Sequence, residues 1–403
     1  MGEIAWALVL NLHQPSGNLE RLLETQEWAA KEILWALDRI PRSLWGFEDV
    51  GRVHLSLSGT LLETLSDPEF QRRVYGVVDC GSLLWHLQNT SVIDVLGTAY
   101  YHPVLPLIPA PDRDDQLRRW WTAAAHLFHR TCFAGFWPPE LGFRMELIPQ
   151  IRRLGYRYVV VDSEYVRPVG QMRWEEIRYR PHLASFAGEQ IVVVVRDRDL
   201  SNAQESGMEV DWFRAEVAAR TRHCDFPPLV TTCTDGDNGG WFRNTGPNFW
   251  SEFYRPLLHA VRGGDGGVPR PRFIHEYLDR YGAQGEVTVE PGAWNTGWHD
   301  GRGFVQWTGS PDQRSMLARV GELSRAVRQA QADGVESASR SDPDLDRCLE
   351  QARWRVLRAE TSCNFFWGDA WLSRCEDDLR EAQRRLDVVR EAGQSRVRSL
   401  PNR

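Results

Sequence analysis

Two groups of carboxylates stand apart in this chain by their surroundings. Glu140 sits in Trp137-Pro138-Pro139-Glu140-Leu141-Gly142-Phe143, where a Pro-Pro approach fixes the backbone at little entropic cost and aromatic residues flank the acid. Glu is a poor helix cap beside Ser, Thr or Asp, so capping does not account for it. Asp235 and Asp237 lie in Thr232-Cys233-Thr234-Asp235-Gly236-Asp237-Asn238-Gly239-Gly240-Trp241. As an EF-hand loop this run would need an oxygen ligand at the fifth position and a bidentate Glu at the twelfth. Gly239 and Gly246 stand there, so calcium binding by that loop is excluded. What remains is a close pair of carboxylates on a Gly-rich turn, where one charge raises the other's pKa and holds a proton for general-acid work. Glycoside cleavage requires two carboxylates from different strand ends: one attacks or activates water, the other protonates the leaving oxygen. His13, Gln14, His102 and Arg196 add the donors and acceptors that a hydroxyl-rich ligand needs.

Composition narrows the chemistry. Among 48 cationic residues the only lysine is Lys31, so a phosphate loop ending in Gly-Lys-Ser/Thr is absent and a Schiff base would have to use that one residue. A net charge of −7 without a long basic run argues against nucleic acid and anionic lipid as partners. Seven cysteines, an odd number with no C-x-x-C pair, read as reduced thiols of a cytoplasmic protein. The run Ile4–Leu12 lacks a basic flank and a cleavage site, so it reads as a strand rather than a signal peptide, and no membrane span is expected.

The elements that must position these residues follow from the hydrophobic pattern. Seven short segments read as strands: Ile4–Leu12, Val53–Leu57, Ile93–Leu96, Phe133–Trp137, Tyr156–Val161, Ile191–Val195 and Leu229–Thr232. Amphipathic stretches of crossover length lie between them, which predicts a parallel sheet, open or closed into a barrel. Polar residues follow five of the seven segments, and the C-terminal ends of parallel strands are where such folds carry their sites. A Gly/Trp-rich stretch spans roughly residues 240–307, with a short strand at Glu286–Val289. Helical periodicity then covers Gln313–Asp333, Pro343–Thr361 and Ala370–Ala392, with a stop at Gly393.

Five segments in order resemble glycoside hydrolase family 57: His13-Gln14-Pro15; Gly97-Thr98 through Tyr101-His102-Pro103; Trp137 to Gly142; Asp235-Gly236-Asp237 through Gly240; and Glu360-Thr361-Ser362-Cys363-Asn364 with Trp367-Gly368. The resemblance implies an incomplete (β/α)7 barrel over residues 1–310, a helical bundle over 311–393 closing the site, and a disordered tail over 394–403. It further implies retaining cleavage or transfer of α-linked glucans, with no metal or cofactor, Glu140 as nucleophile and Asp235 as acid/base. His13 and His102 would contact the sugar nearest the chemistry, and Trp367 would reach the site from the helical bundle. The retaining geometry places the two carboxyl groups roughly 5–5.5 Å apart. Two departures bear on the substrate: Asp237 stands where Glu is usual in the family, and Gly239 where an aromatic is usual. An apolar setting would raise the pKa of Glu140, the acid's signature, whereas Asp237 gives Asp235 its own reason to keep a proton.

Further substrate contacts are expected from Gln14, Trp137, Arg196, Asp237, Trp241, Trp294 and Trp298. The chain holds 18 Trp. Trp137, Trp241, Trp250, Trp294, Trp298, Trp307, Trp367 and Trp371 fall near the site segments and are assigned to sugar stacking. Trp6, Trp28, Trp35, Trp85, Trp120, Trp121 and Trp354 are assigned to core packing. The alternatives are an α-galactosidase of the same family, a non-catalytic glycan-binding protein, and a metal-dependent deacetylase using His126 and His129. The last is disfavoured because that pair falls inside a predicted helix. The oligomeric state is open.

Overall fold

The structure is a computed structural model that describes residues 3–237, 239–294, 303–336 and 342–398. Among the described residues seven parallel strands form the main path of a nine-stranded sheet: β1 (Ala5–Leu12), β2 (Val53–Leu57), β3 (Ile93–Leu96), β4 (Gly135–Phe136), β5 (Tyr158–Asp162), β6 (Glu189–Arg196) and β7 (Leu229–Asp235), with the two-residue Arg270–Pro271 pairing in parallel with β1. Their order is β3-β2-β1-β7-β6-β5-β4. Two thin seams bring the sheet round into a barrel. β6 meets β7 at Arg196 and Thr231. β3 meets β4 through the Gly97–Phe136 bridge, where Trp137 N donates to Gly97 O at 2.7 Å. Gly97 is required there, because a Cβ would lie 2.1 Å from the Tyr156 hydroxyl.

Both faces of each strand are apolar, since one faces the barrel interior and the other the helices. In β1, Ala5, Ala7 and Val9 pack inward with Trp137, Tyr158 and Val194, while Trp6, Leu8, Leu10 and Leu12 pack outward. Small inward residues leave room for the large rings opposite. The same two-residue period carries the inward line on to Asn11, and in β7 it runs Leu229, Thr231, Cys233, Asp235. Polar groups thus reach the barrel mouth on strands whose lower parts are core.

The expected strands are all present; Val53–Leu57 and Ile93–Leu96 keep their expected bounds and the other five have shifted ends. β7 runs to Asp235, so that carboxylate ends a strand rather than following one. β6 has an antiparallel partner at His182–Phe186 that alternation did not reveal. Its turn uses Ala187 and Gly188, both at positive φ, as a tight hairpin demands. The expected short strand is Val287–Val289, paired with Val166–Pro168.

After β1 come α1 (Asn18–Thr25) and α2 (Glu27–Leu44), and α3 (Ala110–Phe128) follows β3. The C-terminal region contains α4 (Pro311–Glu336), α5 (Pro343–Ala359), the short α6 (Ser362–Phe366) and α7 (Asp369–Arg398). α7 runs past Gly393, where a stop was expected, to Arg398; residues 399–403 lie outside the described residues. These helices share a core of their own, with Val320, Leu323, Val356, Leu379 and Leu386, which also takes in Trp307.

A buried ion network docks this region on the barrel. Asp112, in the first turn of α3, accepts from Arg328 at 2.8 Å and Arg353 at 2.5 Å. Gln116 Nε2 donates to Glu360 Oε2 at 2.8 Å. Burial, and then the neighbouring Asp112, hold the Glu360 pKa well above the usual carboxylate range. Among the described residues no helix is long and apolar enough to cross a membrane.

Candidate active site

A cavity of about 320 Å³ opens at the C-terminal ends of the strands. His13, Gln14, His102, Glu140, Asp235, Trp294, Trp367 and Trp371 all line it, so eight of the expected residues meet in one place. They come from β1, the loops after β3 and β4, the end of β7, the 290s loop and the helical region.

Glu140 is held with unusual firmness. Its φ of 59° and that of Leu141, 50°, lie in the left-handed region, which costs a non-glycine residue about 1–3 kcal/mol. Surrounding bonds enforce it. Trp294 N donates to Glu140 O at 2.9 Å, and Phe143 pairs with Gly292 in both directions. On the carboxylate, Trp294 Nε1 donates to Oε2 and Ser362 Oγ to Oε1, each at 2.7 Å. His102 Nε2 lies 3.5 Å from Oε1, on a residue that is itself at φ 56°.

Burial works to raise the Glu140 pKa, but His102, Ser362 and Trp294 together outweigh it and hold the carboxyl below its ordinary value. The expected apolar rise is therefore reversed: Glu140 is kept ionised. His13 stacks on His102 with ring centroids 4.0 Å apart. Burial, and then His102, push its pKa well below the ordinary histidine value, so it stays neutral. Asp235 Oδ1 accepts from Asn11 Nδ2 at 2.8 Å.

Asp237 is fully buried behind Gln14, whose Nε2 donates to its Oδ2 at 2.9 Å; Asn18 in turn donates to Gln14 Oε1 at 3.0 Å. Burial, and then Asp235, push the Asp237 pKa up to about 7. Asp237 touches Gln14 rather than the cavity.

Other expectations are corrected. Trp137 is fully buried, edge-on to Trp294 at 5.4 Å, and braces it from the barrel core. Arg196 is also fully buried, paired with Asp162 at 2.7 Å and donating to Cys233 O at 3.0 Å, so it ties β5 to β7 and does not face a ligand. Trp241 packs partly buried against the barrel core, and Trp250 and Trp307 are core residues. Trp298 lies outside the described residues. Conversely Trp28 and Trp85, assigned to the core, are exposed on their helices.

Asn11, Asn18, Arg243, Gln306 and Phe366 line the cavity without having been singled out, and Ser362 bonds the carboxylate of Glu140. Asn11 had a signal, being in phase with the inward line of β1. Ser362 had none beyond its place in the fifth segment. His126 lies in the last turn of α3 and His129 caps it; neither lines the cavity. Among the described residues no group of three or more His, Cys, Asp or Glu side chains is arranged to hold a metal ion.

Fold and site together define a parallel seven-stranded (β/α) barrel whose mouth carries two carboxylates and is lined on one side by residues of a helical region. The chain belongs to glycosyl hydrolase family 57, whose sequence profile matches residues 11–262. An alpha-amylase from Pyrococcus horikoshii is 28% identical over 203 residues, covering 50% of this chain and 29% of that protein. A 4-alpha-glucanotransferase from Thermococcus kodakarensis is 27% identical over 189 residues, covering 47% and 26%. The matched segment spans under a third of the length of these curated relatives. In structure, a branching enzyme from Pyrococcus horikoshii superposes with a TM-score of 0.72 at 15% identity, covering 95% of this chain and 87% of that one. A 4-alpha-glucanotransferase from Thermococcus litoralis gives 0.67 at 20% identity, covering 95% and 60%. These likenesses show the shared fold.

Proposed function

We propose that the protein cleaves or transfers α-linked glucan by double displacement, with Glu140 as nucleophile and Asp235 as acid/base. The observation that carries this reading is the ionised Glu140, aimed into a cavity shared with Asp235 by donors on both its oxygens. A carboxylate kept below its ordinary pKa is ready to attack an anomeric carbon and unsuited to donate a proton.

In this mechanism Glu140 attacks the anomeric carbon while Asp235 protonates the departing glycosidic oxygen. Asp235 then deprotonates water or a sugar hydroxyl, which releases the covalent intermediate with net retention. Neutral His13 and its neighbour His102 bond hydroxyls of the sugar at the cavity floor, and Trp367, 58% exposed at the rim, offers a stacking face. The amylase, glucanotransferase and branching-enzyme names of the relatives support α-glucan as substrate class.

The test is product analysis on maltooligosaccharides, amylopectin and an aryl α-galactoside, with wild type, Glu140→Gln and Asp235→Asn. Turnover of glucan lost in Glu140→Gln supports the reading. Undiminished turnover in that variant overturns it, and turnover of the galactoside alone moves the substrate to α-galactosides.

A further inference from the structure

Beside this cavity lies a second, of about 310 Å³, that shares Pro15 and Trp371 with it. Its wall is different in charge: Arg21, Arg355, Arg358 and Arg374 face it together with Asp377 and Asp378. Asp378 is taken up by Arg355 at 3.0 Å and by Arg358, and Asp377 by Arg380 at 3.0 Å. Arg21 and Arg374 are left over. Among the described residues neither has a carboxylate partner, and Arg21 donates to the neutral Asn18 Oδ1 at 3.1 Å.

Both guanidiniums gather on one ring, 5.7 Å and 3.5 Å from the centroid of Trp371. Burial, and then the charge of Arg21, lower the pKa of Arg374. A cation over Trp is favourable, and two guanidiniums gathered on one ring present their N–H donors side by side, which suits an anionic acceptor. The chain as a whole carries net charge −7, so this positive spot is local. Its placement on a side chain that also lines the main cavity puts it within reach of whatever lies there.

Resting on the function proposed above, we propose that Arg21 and Arg374 form an anion-binding subsite at one end of the cleft. It takes a carboxylate or phosphate ester carried by the glycan, and Trp371 sets the spacing of the two guanidiniums. The protein thereby favours acidic oligosaccharides over neutral ones of equal length.

The experiment compares kcat/KM for short maltooligosaccharides in three forms: reduced to the neutral alditol, oxidised at the same end to the aldonate, and phosphorylated on a primary hydroxyl. Wild type is expected to prefer one acidic form over the alditol by about tenfold, the preferred form naming the anion, and the preference shrinks at high salt. In an Arg21→Gln/Arg374→Gln double variant the acid-to-neutral ratio falls to about one. Wild type that cleaves the alditol with a ratio near one overturns the subsite and leaves the proposed reaction standing. Wild type that cleaves none of the three overturns the reaction itself. Equal loss on all three forms in the double variant, with the ratio kept, reduces the arginines to braces for Trp371 and also overturns the subsite.

Discussion

Ser362 Oγ donates to Glu140 Oε1 at 2.7 Å, across 222 positions of sequence. The contact joins the C-terminal helical region to the strained turn after β4. Ser362 is itself fixed by its backbone N–H, which donates to His102 O at 3.0 Å, and by the Pro103–Thr361 bridge beside it. The helical region thus completes the environment of the carboxylate as well as covering the cavity.

Ser362→Ala removes one of the donors that keep Glu140 ionised. Losing a hydrogen bond to a charged group costs about 1.5–3 kcal/mol, so kcat/KM falls roughly tenfold or more. The Glu140 pKa rises, and the acid limb of the kcat/KM profile moves to higher pH. An unmoved acid limb would show that Ser362 does not act on this carboxylate. Ser362→Thr, which keeps the hydroxyl, restores the limb.

Asp237 predicts a stability signature. Folded Asp237 holds its proton to about pH 7, whereas an unfolded Asp releases it near pH 3.9. The folded state binds the extra proton between these values, so its contribution is full below about pH 4 and lost as pH rises through 7. Asp237→Asn keeps a neutral group that still accepts from Gln14. Its melting temperature stays near that of wild type at pH 4 and rises above it at pH 8. Equal gaps at both pH values would contradict the buried-acid assignment.

In the proposed mechanism Asp235→Asn removes the proton donor and leaves the nucleophile in place. Turnover of maltooligosaccharides falls by about 10²–10⁴, the usual share of general acid-base catalysis. An aryl glycoside with a stabilised phenolate leaving group needs no proton to depart, so its first step survives, as a burst of phenol measured by stopped flow. Equal loss on both substrates would place the acid elsewhere.

Gly97→Ala tests the barrel seam. The added Cβ would meet the Tyr156 ring at 2.1–2.2 Å, at the point where β3 joins β4. Overpacking of this kind costs about 1–3 kcal/mol or more, read as a lowered melting temperature. Tyr156→Phe in the same chain recovers part of the loss, because the hydroxyl is among the atoms struck. A melting temperature unchanged by Gly97→Ala would mean that this seam tolerates separation.

The barrel was legible in sequence because each parallel strand is buried on both faces and shows as a short continuous apolar run. The hairpin at His182–Phe186 was not, since its register depends on Ala187 adopting a backbone better suited to glycine. That Glu140, Asp235 and His102 meet at the barrel mouth was legible from type and context. Arg196 and Trp137 misled, because a strand-end arginine facing a ligand and one buried against Asp162 look alike in a string of letters. The charge state of Glu140 was also hidden: sequence gives its apolar neighbours but not the three donors, from Trp294, Ser362 and His102, that converge on it.

The central claim is that Glu140 forms the covalent intermediate. The direct measurement is mass spectrometry of peptides after reaction with a fluorinated α-glucosyl fluoride whose intermediate hydrolyses slowly. The account predicts one glucosyl adduct, on the peptide carrying Glu140, absent in Glu140→Gln. An adduct on Asp235, or inverted product with no adduct under the same conditions, would contradict it.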